Sequence, residues 1–278
     1  MNLSTLLDII ELPSNYRAKQ ISPVWHSLPK NWLERLERVI LSKRPRQAKI
    51  FFRADDVGVP STSFLALCRL FAYFNVPLAL SVVPSWLNES RTHYLFQIAP
   101  PSDPLWSWHQ HGWRHTNWEK SGKKSEFGPS RTENQKWQDI WKGLNKMKEI
   151  LDRHFVPAFT PPWNRLTPDT FILLSRLGFR AVSLDQKIHP PTPENHLKNF
   201  RIFLDLHTRK PLDISRSFDE LIDDCRRLFS VKEPAGIMIH HNRMNLNAFL
   251  FLANFMELVK SNSSVKITSF KEMLSTDG

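Results

Sequence analysis

The sequence predicts a parallel α/β fold, most simply a (β/α) barrel. From Lys49 onwards, short apolar segments of strand length alternate with longer segments of helical apolar spacing. A strand followed by a helix and then by a parallel strand is the repeating unit of such folds. Roughly seven or eight of these units in about 230 residues suit a barrel better than an open sheet.

The predicted elements follow one another in a regular order. Predicted strands occupy residues 50–54, 76–83, 105–109, 156–160, 180–184, 200–206, 236–240 and 265–268. Predicted helices occupy residues 61–74, 132–155, 167–177, 215–229 and 246–259. Local signals support the bounds: Thr167 is an N-cap candidate, and Gly178 is a typical helix stop.

The first 47 residues differ from the remainder of the chain. Residues 3–12 and 32–41 have helical apolar spacing, and Pro13, Pro23 and Pro29 interrupt the region between them. We therefore expect residues 1–47 to form a helical extension that packs on the barrel, and residues 48–278 to form the barrel itself.

Composition narrows the functional classes. The 278 residues carry a net charge of +11, which favours anionic partners, but no nucleic-acid-binding motif is recognisable and no nucleic acid is expected as a partner. Two cysteines, Cys68 and Cys225, lie far apart in predicted helices, which excludes a disulfide framework. There is no signal-peptide pattern and no run of about 18 apolar residues, so we expect a cytoplasmic protein without a membrane span.

A histidine cluster stands out in the stretch WSWHQHGWRHTN, residues 106–117. His111 and His115 are four residues apart, a spacing at which a helical turn or a tight loop opened by Gly112 brings two imidazoles to one Zn²⁺. His109 and His111 are two apart, so on a strand they share a face and form a competing ligand pair.

Acidic and other polar residues also follow predicted strands. Asp55 and Asp56 end the first strand, 161–165 follow the fourth, and His240 and His241 end a late one. In parallel barrels the active site lies at the carboxyl ends of the strands, where the loops converge. Adjacent strand residues face opposite ways, so both carboxylates reach one site only if the strand ends there and Gly58 permits a turn. Two close carboxylates require a cation or a proton between them.

These motifs resemble those of the polysaccharide deacetylase (NodB-homology, carbohydrate esterase family 4-like) family. Asp55-Asp56 resembles the acidic pair of its TFDDG motif, and residues 111–115, HGWRH, resemble H-[ST]-x-x-H. Residues 160–164, TPPWN, stand where R-x-P-[YF]-G belongs, and residues 237–240, IMIH, resemble the closing L-x-H strand. The motifs occur in the family's order between about residues 49 and 270.

The resemblance implies a deformed (β/α)7 barrel of the NodB type and a metal-dependent hydrolase. Asp56, His111 and His115 would bind one divalent metal, most often zinc in this family, with Co²⁺ or Ni²⁺ as alternatives. Asp55 would be the catalytic base and His240 the acid. The substrate would be an N-acetyl, sometimes O-acetyl, group of a polysaccharide or glycoconjugate.

The oxyanion site and one motif position depart from the family pattern. The backbone N–H of Trp163 is expected to hold the oxyanion, since Pro162 has none. Thr160 replaces the family arginine, for which Arg165 or Arg53 are candidate substitutes. This replacement leaves a second interpretation open, a non-catalytic descendant that binds a glycan or a protein.

The identity of the acid is also open. His241 is adjacent to His240 and could replace it as the acid, although a packing role is favoured for His241. Asp185 and Asp205, at other strand ends, are candidates to orient the acid.

Overall fold

A computed structural model describes residues 1–42, 46–185, 197–209 and 213–276. Strands in this part of the chain are β1 Ala48–Val57, β2 Leu78–Val82, β3 Trp106–His111, β4 Ala158–Thr160, β5 Ala181–Val182, β6 Lys198–Asn199, β7 Ile202–Asp205, β8 Ala235–Ile239 and β9 Val265–Ile267. The helices are α1 Leu3–Ile10, α2 Trp32–Ile40, α3 Thr62–Phe74, α4 Glu89–Ile98, α5 Glu133–Leu151, α6 Pro168–Arg176, α7 Ile214–Leu228, α8 Leu246–Ser261 and α9 Phe270–Ser275.

The chain divides into two compact units. The first unit comprises Met1–Ala54, Pro60–Leu78 and Phe203–Thr268. The second unit comprises Asp55–Val59, Ala79–Ile202 and Ser269–Gly278.

The first unit contains a parallel ladder covered by helices. In it β8 lies next to β1, with Ile50 opposite Ala235 and Ala54 opposite Ile239, and β9 pairs with β1 from Ala48 to Ile50. Buried phenylalanines fill the space against the strands, because apolar residues of both layers face one another there. Helix α1 packs against α3, and α2 packs against α7 and α8, so the N-terminal helices lie on this unit. The domain boundary at residue 47 stays a prediction.

The second unit contains parallel strands in the order β6, β5, β4, β3, β2. His111, the last residue of β3, lies opposite Thr160, the last residue of β4. Helices α5 and α6 pack against each other beside this ladder, over a core that includes Phe127, Phe159 and Phe179. The alternation of parallel strands with helices confirms the predicted fold class.

The strands differ from their predicted bounds where function is expected. β1 continues to Val57 and β3 to His111, so Asp55, Asp56 and His111 belong to the strands rather than to the loops after them. These strand ends are polar, so a prediction based on apolar runs stops short of them. The helix α4 was not predicted at all, because only Leu95 is buried on it and no apolar stripe forms.

Within the described ranges, no helix has both the length and the apolar character needed to cross a membrane.

A buried lysine joins the helices of the second unit. The Lys136 side chain in α5 is 2% exposed, and its Nζ donates to Oδ2 of Asp169 at 2.8 Å, near the start of α6. Partial burial would raise the pKa of Asp169, but the hydrogen bonds and positive charge of Lys136 outweigh it and lower the pKa. A carboxylate with a lowered pKa stabilises the fold above its unfolded pKa, and this stabilisation is lost as the pH falls through the folded value.

We therefore expect Asp169→Asn to lower the free energy of unfolding at neutral pH by roughly 0.5–1.5 kcal/mol, because Lys136 loses its charged partner but solvent partly screens a carboxylate that is 36% exposed. The difference between variant and wild type should shrink as the pH is lowered into the acidic range. Urea denaturation at several pH values measures this, with the exposed Asp223→Asn as the control. A difference that does not change with pH would contradict the ion pair as the cause.

Candidate metal centre

Three side chains of the second unit converge on a small volume. Asp56 lies near the end of β1, His111 ends β3, and His115 lies in the loop that follows β3. Their ligand atoms all lie within 4.8 Å of one another. Oδ1 of Asp56 is 3.3 Å from Nε2 of His111 and 3.1 Å from Nε2 of His115. The expected ligand set is thus brought together by elements that are far apart in the sequence.

The hydrogen bond of the His111 ring indicates that the cluster of Asp56, His111 and His115 suits a metal ion. Its Nδ1 lies 3.0 Å from the backbone oxygen of Thr160, an oxygen that can only accept. Nδ1 therefore carries a hydrogen, and in the neutral ring the Nε2 lone pair faces the Asp56 carboxylate. Two electron-rich atoms at this separation repel unless a proton or a metal ion lies with them. A histidine that donates its other N–H to a backbone carbonyl is the usual form of a metal-binding imidazole.

The donor set also fits a catalytic rather than a structural zinc ion. Two imidazole nitrogens and one carboxylate oxygen are ligands that Zn²⁺ accepts, and three protein ligands leave a position open for water or substrate. Burial alone would lower the pKa of His115, but its hydrogen bond to Asp56 and the charges of Asp56 and Glu126 outweigh burial and raise the pKa. The surroundings of His115 thus favour a cation.

A buried carboxylate shapes the loop that carries His115. Oε1 of Glu126 accepts the backbone N–H groups of Trp113 at 3.2 Å and Arg114 at 2.7 Å, and Oε2 accepts that of His115 at 3.0 Å. Burial raises the pKa of Glu126 to about 7, against the lowering effect of these three hydrogen bonds. Glu126 was not predicted as a site residue, since it lies in a stretch predicted only as loop. The one signal in the sequence is an acidic residue next to Phe127 in an otherwise lysine-rich segment.

Several residues at the site have left-handed backbone conformations. The φ angles are 61° at Asp56, 57° at His115, 59° at Trp163 and 56° at Gly112. For residues other than glycine this conformation is strained and clusters at functional sites. The expected bend after Asp55 thus occurs at Asp56 itself. Gly58 instead allows close packing, since a Cβ there would lie 2.9 Å from Cβ of Trp86.

Aromatic rings contact the His115 imidazole. Its ring centroid lies 4.4 Å from that of Trp163 and 5.9 Å from that of Trp86. The Trp163 backbone follows β4, in the segment predicted to hold the oxyanion. These contacts restrict the rotation of the imidazole and bring Trp163 to the ligand cluster.

The other predicted residues of this unit have different surroundings. Asp55 is 3% exposed and directly precedes Asp56 of the candidate ligand set. Arg165 donates from Nη1 to the Lys124 backbone oxygen at 2.9 Å, so its guanidinium holds the loop next to Glu126.

His109 does not belong to the ligand group; its Nε2 lies 2.9 Å from Oγ1 of Thr160. The alternative pair of His109 and His111 is therefore not the one that the structure assembles.

The remaining candidates lie in the first unit. His240 directly follows β8 and is half-buried, whereas His241 is buried with its ring 5.5 Å from Phe64 in an edge-to-face contact. Arg53 is buried, with Nη2 3.0 Å from Sδ of Met238. The carboxylate of Asp205 accepts the backbone N–H of His207 and closes its own turn. These surroundings favour His240 over His241 as the side chain that is open to a substrate.

The loop before His115 leaves no space for a side chain at Gly112. A Cβ there would lie 2.4 Å from Oε2 of Glu126 and 2.7 Å from Cδ of Pro162, and φ is +56°. We expect Gly112→Ala to lower the free energy of unfolding by roughly 2–4 kcal/mol through strain and clash together.

The matched control is Gly122→Ala, because Gly122 has φ +77° and a Cβ there would meet no heavy atom of the described residues within 4 Å. That substitution adds only the conformational strain, about 1 kcal/mol. Chemical denaturation of both variants measures the difference. Equal destabilisation would show that the contact with Glu126 does not constrain the loop.

The substitution Glu126→Gln tests directly whether the Glu126 carboxylate, through its three backbone hydrogen bonds, positions the loop that carries His115. An amide has one acceptor oxygen in place of two, so at least one backbone N–H near His115 loses its partner. We expect Zn²⁺ affinity to fall about 10–100-fold, the usual effect of removing a group that orients a metal ligand.

The control is Glu119→Gln, since Glu119 lies in the same loop and accepts from the Ser130 N–H and hydroxyl. Calorimetric Zn²⁺ titration of both variants gives the two affinities. If Glu119→Gln weakens Zn²⁺ binding as much as Glu126→Gln does, the prediction of a specific role for the Glu126 carboxylate is wrong.

Comparisons with known proteins give the fold a context. No protein-family model matches the sequence, and no curated protein matches it. Among solved structures, a protein of Mycobacterium smegmatis described as a polysaccharide deacetylase is similar at 16% identity and a TM-score of 0.59, over 84% of this chain and 91% of that one. A family 4 acetyl xylan esterase from Clostridium thermocellum, solved with a cobalt ion, is similar at 12% identity and a TM-score of 0.51, over 82% and 90%. The chain therefore has the deformed (β/α) barrel fold of the NodB type, which is the fold of polysaccharide deacetylases and family 4 carbohydrate esterases.

Proposed function

We propose that this protein is a metal-dependent hydrolase that removes N-acetyl groups from a sugar polymer or glycoconjugate. The observation that carries the proposal is the cluster of Asp56, His111 and His115, with the Nδ1 hydrogen of His111 committed to the Thr160 carbonyl. The fold adds support, since similar structures include a polysaccharide deacetylase and an acetyl xylan esterase.

Asp56, His111 and His115 would hold one divalent cation, with Zn²⁺ as first choice and Co²⁺ or Ni²⁺ as alternatives. Bound there, the cation supplies Lewis acidity, which lowers the pKa of water and polarises a carbonyl oxygen. The hydrogen bond to the Thr160 carbonyl fixes the tautomer of His111, and the hydrogen bonds to Glu126 fix the backbone at His115. The ligand residues therefore need little rearrangement on binding.

The other steps belong to side chains and backbone of the protein. Asp55 would accept the proton of the attacking water, as the carboxylate next to the ligand Asp56. The backbone N–H of Trp163 would donate to the oxygen that becomes negative, since this residue contacts His115. Protonated His240 would donate to the leaving nitrogen, because an amine expelled without a proton is a very poor leaving group.

Arg165 is the weaker of the proposed substrate residues. Its guanidinium donates to the Lys124 carbonyl, and its own carbonyl accepts from the Ser125 hydroxyl at 3.3 Å. We propose that it supports the loop that carries Glu126 and, through that loop, the substrate side of the cluster.

Activity of the Zn²⁺-loaded protein on N-acetylated oligosaccharides tests this function. We expect turnover that a chelator abolishes and added Zn²⁺ restores. Asp55→Asn should lower kcat about 100–10,000-fold while Zn²⁺ still binds, because a general base contributes by that amount. His111→Ala should lose both turnover and metal.

Asp223→Asn, an exposed carboxylate paired only with Arg226 among the described residues, is the matched control and should keep full activity. O-acetylated xylan oligosaccharides form a parallel arm that separates ester from amide hydrolysis. Stoichiometric Zn²⁺ binding without turnover on either substrate would favour a glycan- or protein-binding role, which the threonine at position 160 also suggests. Wild-type turnover by Asp55→Asn would contradict the proposed base.

A further inference from the structure

A buried histidine of the first unit contacts the backbone of His240. His207 follows β7, is fully buried, and its Nδ1 lies 3.1 Å from the backbone nitrogen of His240, which donates its N–H. An acceptor nitrogen carries a lone pair, so the ring hydrogen of neutral His207 is on Nε2. The contact therefore fixes both the tautomer of His207 and the position of the His240 backbone.

The surroundings of His207 keep its imidazole neutral. Burial first, and then the positive charges of His240, Arg243, His241 and Arg209, hold the pKa of His207 well below its ordinary value. Protonation would also place an N–H on Nδ1 against the donating N–H of His240. The acceptor function of Nδ1 is therefore present across the physiological pH range.

The hydrogen bond between the His240 N–H and Nδ1 of His207 lies where the backbone leaves the sheet. The ladder of β8 with β1 ends at Ile239, opposite Ala54, and His240 is the next residue. A 3₁₀ turn follows, in which the Arg243 N–H donates to the His240 carbonyl at 2.9 Å. His207 and this turn thus hold the N–H and the carbonyl of His240, which together set the direction of its Cα–Cβ bond.

His207 is held in turn by the N-terminal segment. The Ser22 hydroxyl donates to the His207 carbonyl at 2.7 Å, and Nε1 of Trp25 donates to the Leu206 carbonyl at 2.7 Å. The ring centroids of Trp25 and His207 are 5.9 Å apart. On the other side, Oδ1 of Asp205 accepts the His207 N–H at 2.9 Å. Ser22 and Trp25, which precede β1 in the sequence, therefore help to bury His207.

We propose that His207 is a positioning residue, whose neutral imidazole fixes the backbone of His240 and so aims the proton donor of the reaction. The inference rests on the proposed function, because it assigns His207 to the acid His240. On this proposal, Ser22 and Trp25 contribute to catalysis only indirectly, because they help to bury His207.

Three substitutions separate the acceptor role of His207 from simple packing. In His207→Asn the side-chain oxygen takes the approximate place of Nδ1, whereas in His207→Gln it takes that of Nε2; His207→Leu retains bulk without an acceptor. We expect kcat to fall about 10–100-fold in the Leu and Gln variants with KM and Zn²⁺ affinity within about twofold of wild type. His207→Asn should recover most of kcat. Equal kcat values for the Asn and Leu variants would overturn the proposal.

A measurement on the wild-type protein tests the same inference without activity. Long-range ¹H–¹⁵N spectra of the imidazole rings should show His207 as the neutral Nε2–H tautomer throughout about pH 5–8, and the His240 amide should exchange more slowly than in His207→Leu. A protonated ring, or a hydrogen on Nδ1, would overturn the proposal even if the variants do not fold. Absence of turnover in the Zn²⁺-loaded wild type with the expected tautomer would instead count against the proposed reaction alone.

Discussion

The carbonyl of Thr160 is the acceptor on which the candidate metal site of Asp56, His111 and His115 depends. It accepts the Nδ1 hydrogen of His111 at 3.0 Å and the backbone N–H of Gly112 at 3.1 Å. One oxygen thus fixes the tautomer of the first imidazole and the start of the loop that carries the second. Because β3 and β4 are parallel and end at the same level, this carbonyl is accessible to His111 without any distortion of the ladder.

The loop from Gly112 to His115 has a conformation that would be unfavourable alone. A non-glycine residue with φ near +60° costs of order 1 kcal/mol or more, and within this loop His115 has such a value. Three backbone N–H groups that donate to the buried Glu126 offset this cost. The compensation is local, because Glu126 accepts from His115 itself and from the two residues before it. A site organised in this way keeps its ligands in place before a cation binds, which lowers the cost of binding.

The fold class and the ligand residues were predictable from the sequence because both depend on patterns that recur. The strand–helix alternation is a regular period, whereas the ligand set of Asp56, His111 and His115 follows from the resemblance of the ordered motifs to those of the polysaccharide deacetylase family. Spacing alone leaves His109 and His111 as a competing pair. Glu126 and His207 were not predicted, because their roles arise from burial against backbone N–H groups that are distant in sequence or depend on loop conformation. The sequence favours Gly58 as the residue that permits the turn for a related reason: glycine is the usual left-handed residue, and only the folded structure shows that Asp56 has that conformation.

The threonine at position 160 bears on how the charge of the acidic pair is balanced. Asp55 and Asp56 are adjacent, and two ionised carboxylates require a nearby cation. In the family motif an arginine stands at this position, but the Thr160 hydroxyl here lies 2.9 Å from Nε2 of His109, and its carbonyl binds His111. The hydroxyl and the carbonyl of Thr160 therefore both contact histidines, and neither group supplies a positive charge to the acidic pair. If Asp56, His111 and His115 hold a cation as proposed, that cation is one source of the positive charge that an arginine supplies in the family motif, and the side chains of Arg53 and Arg165 are the other candidates.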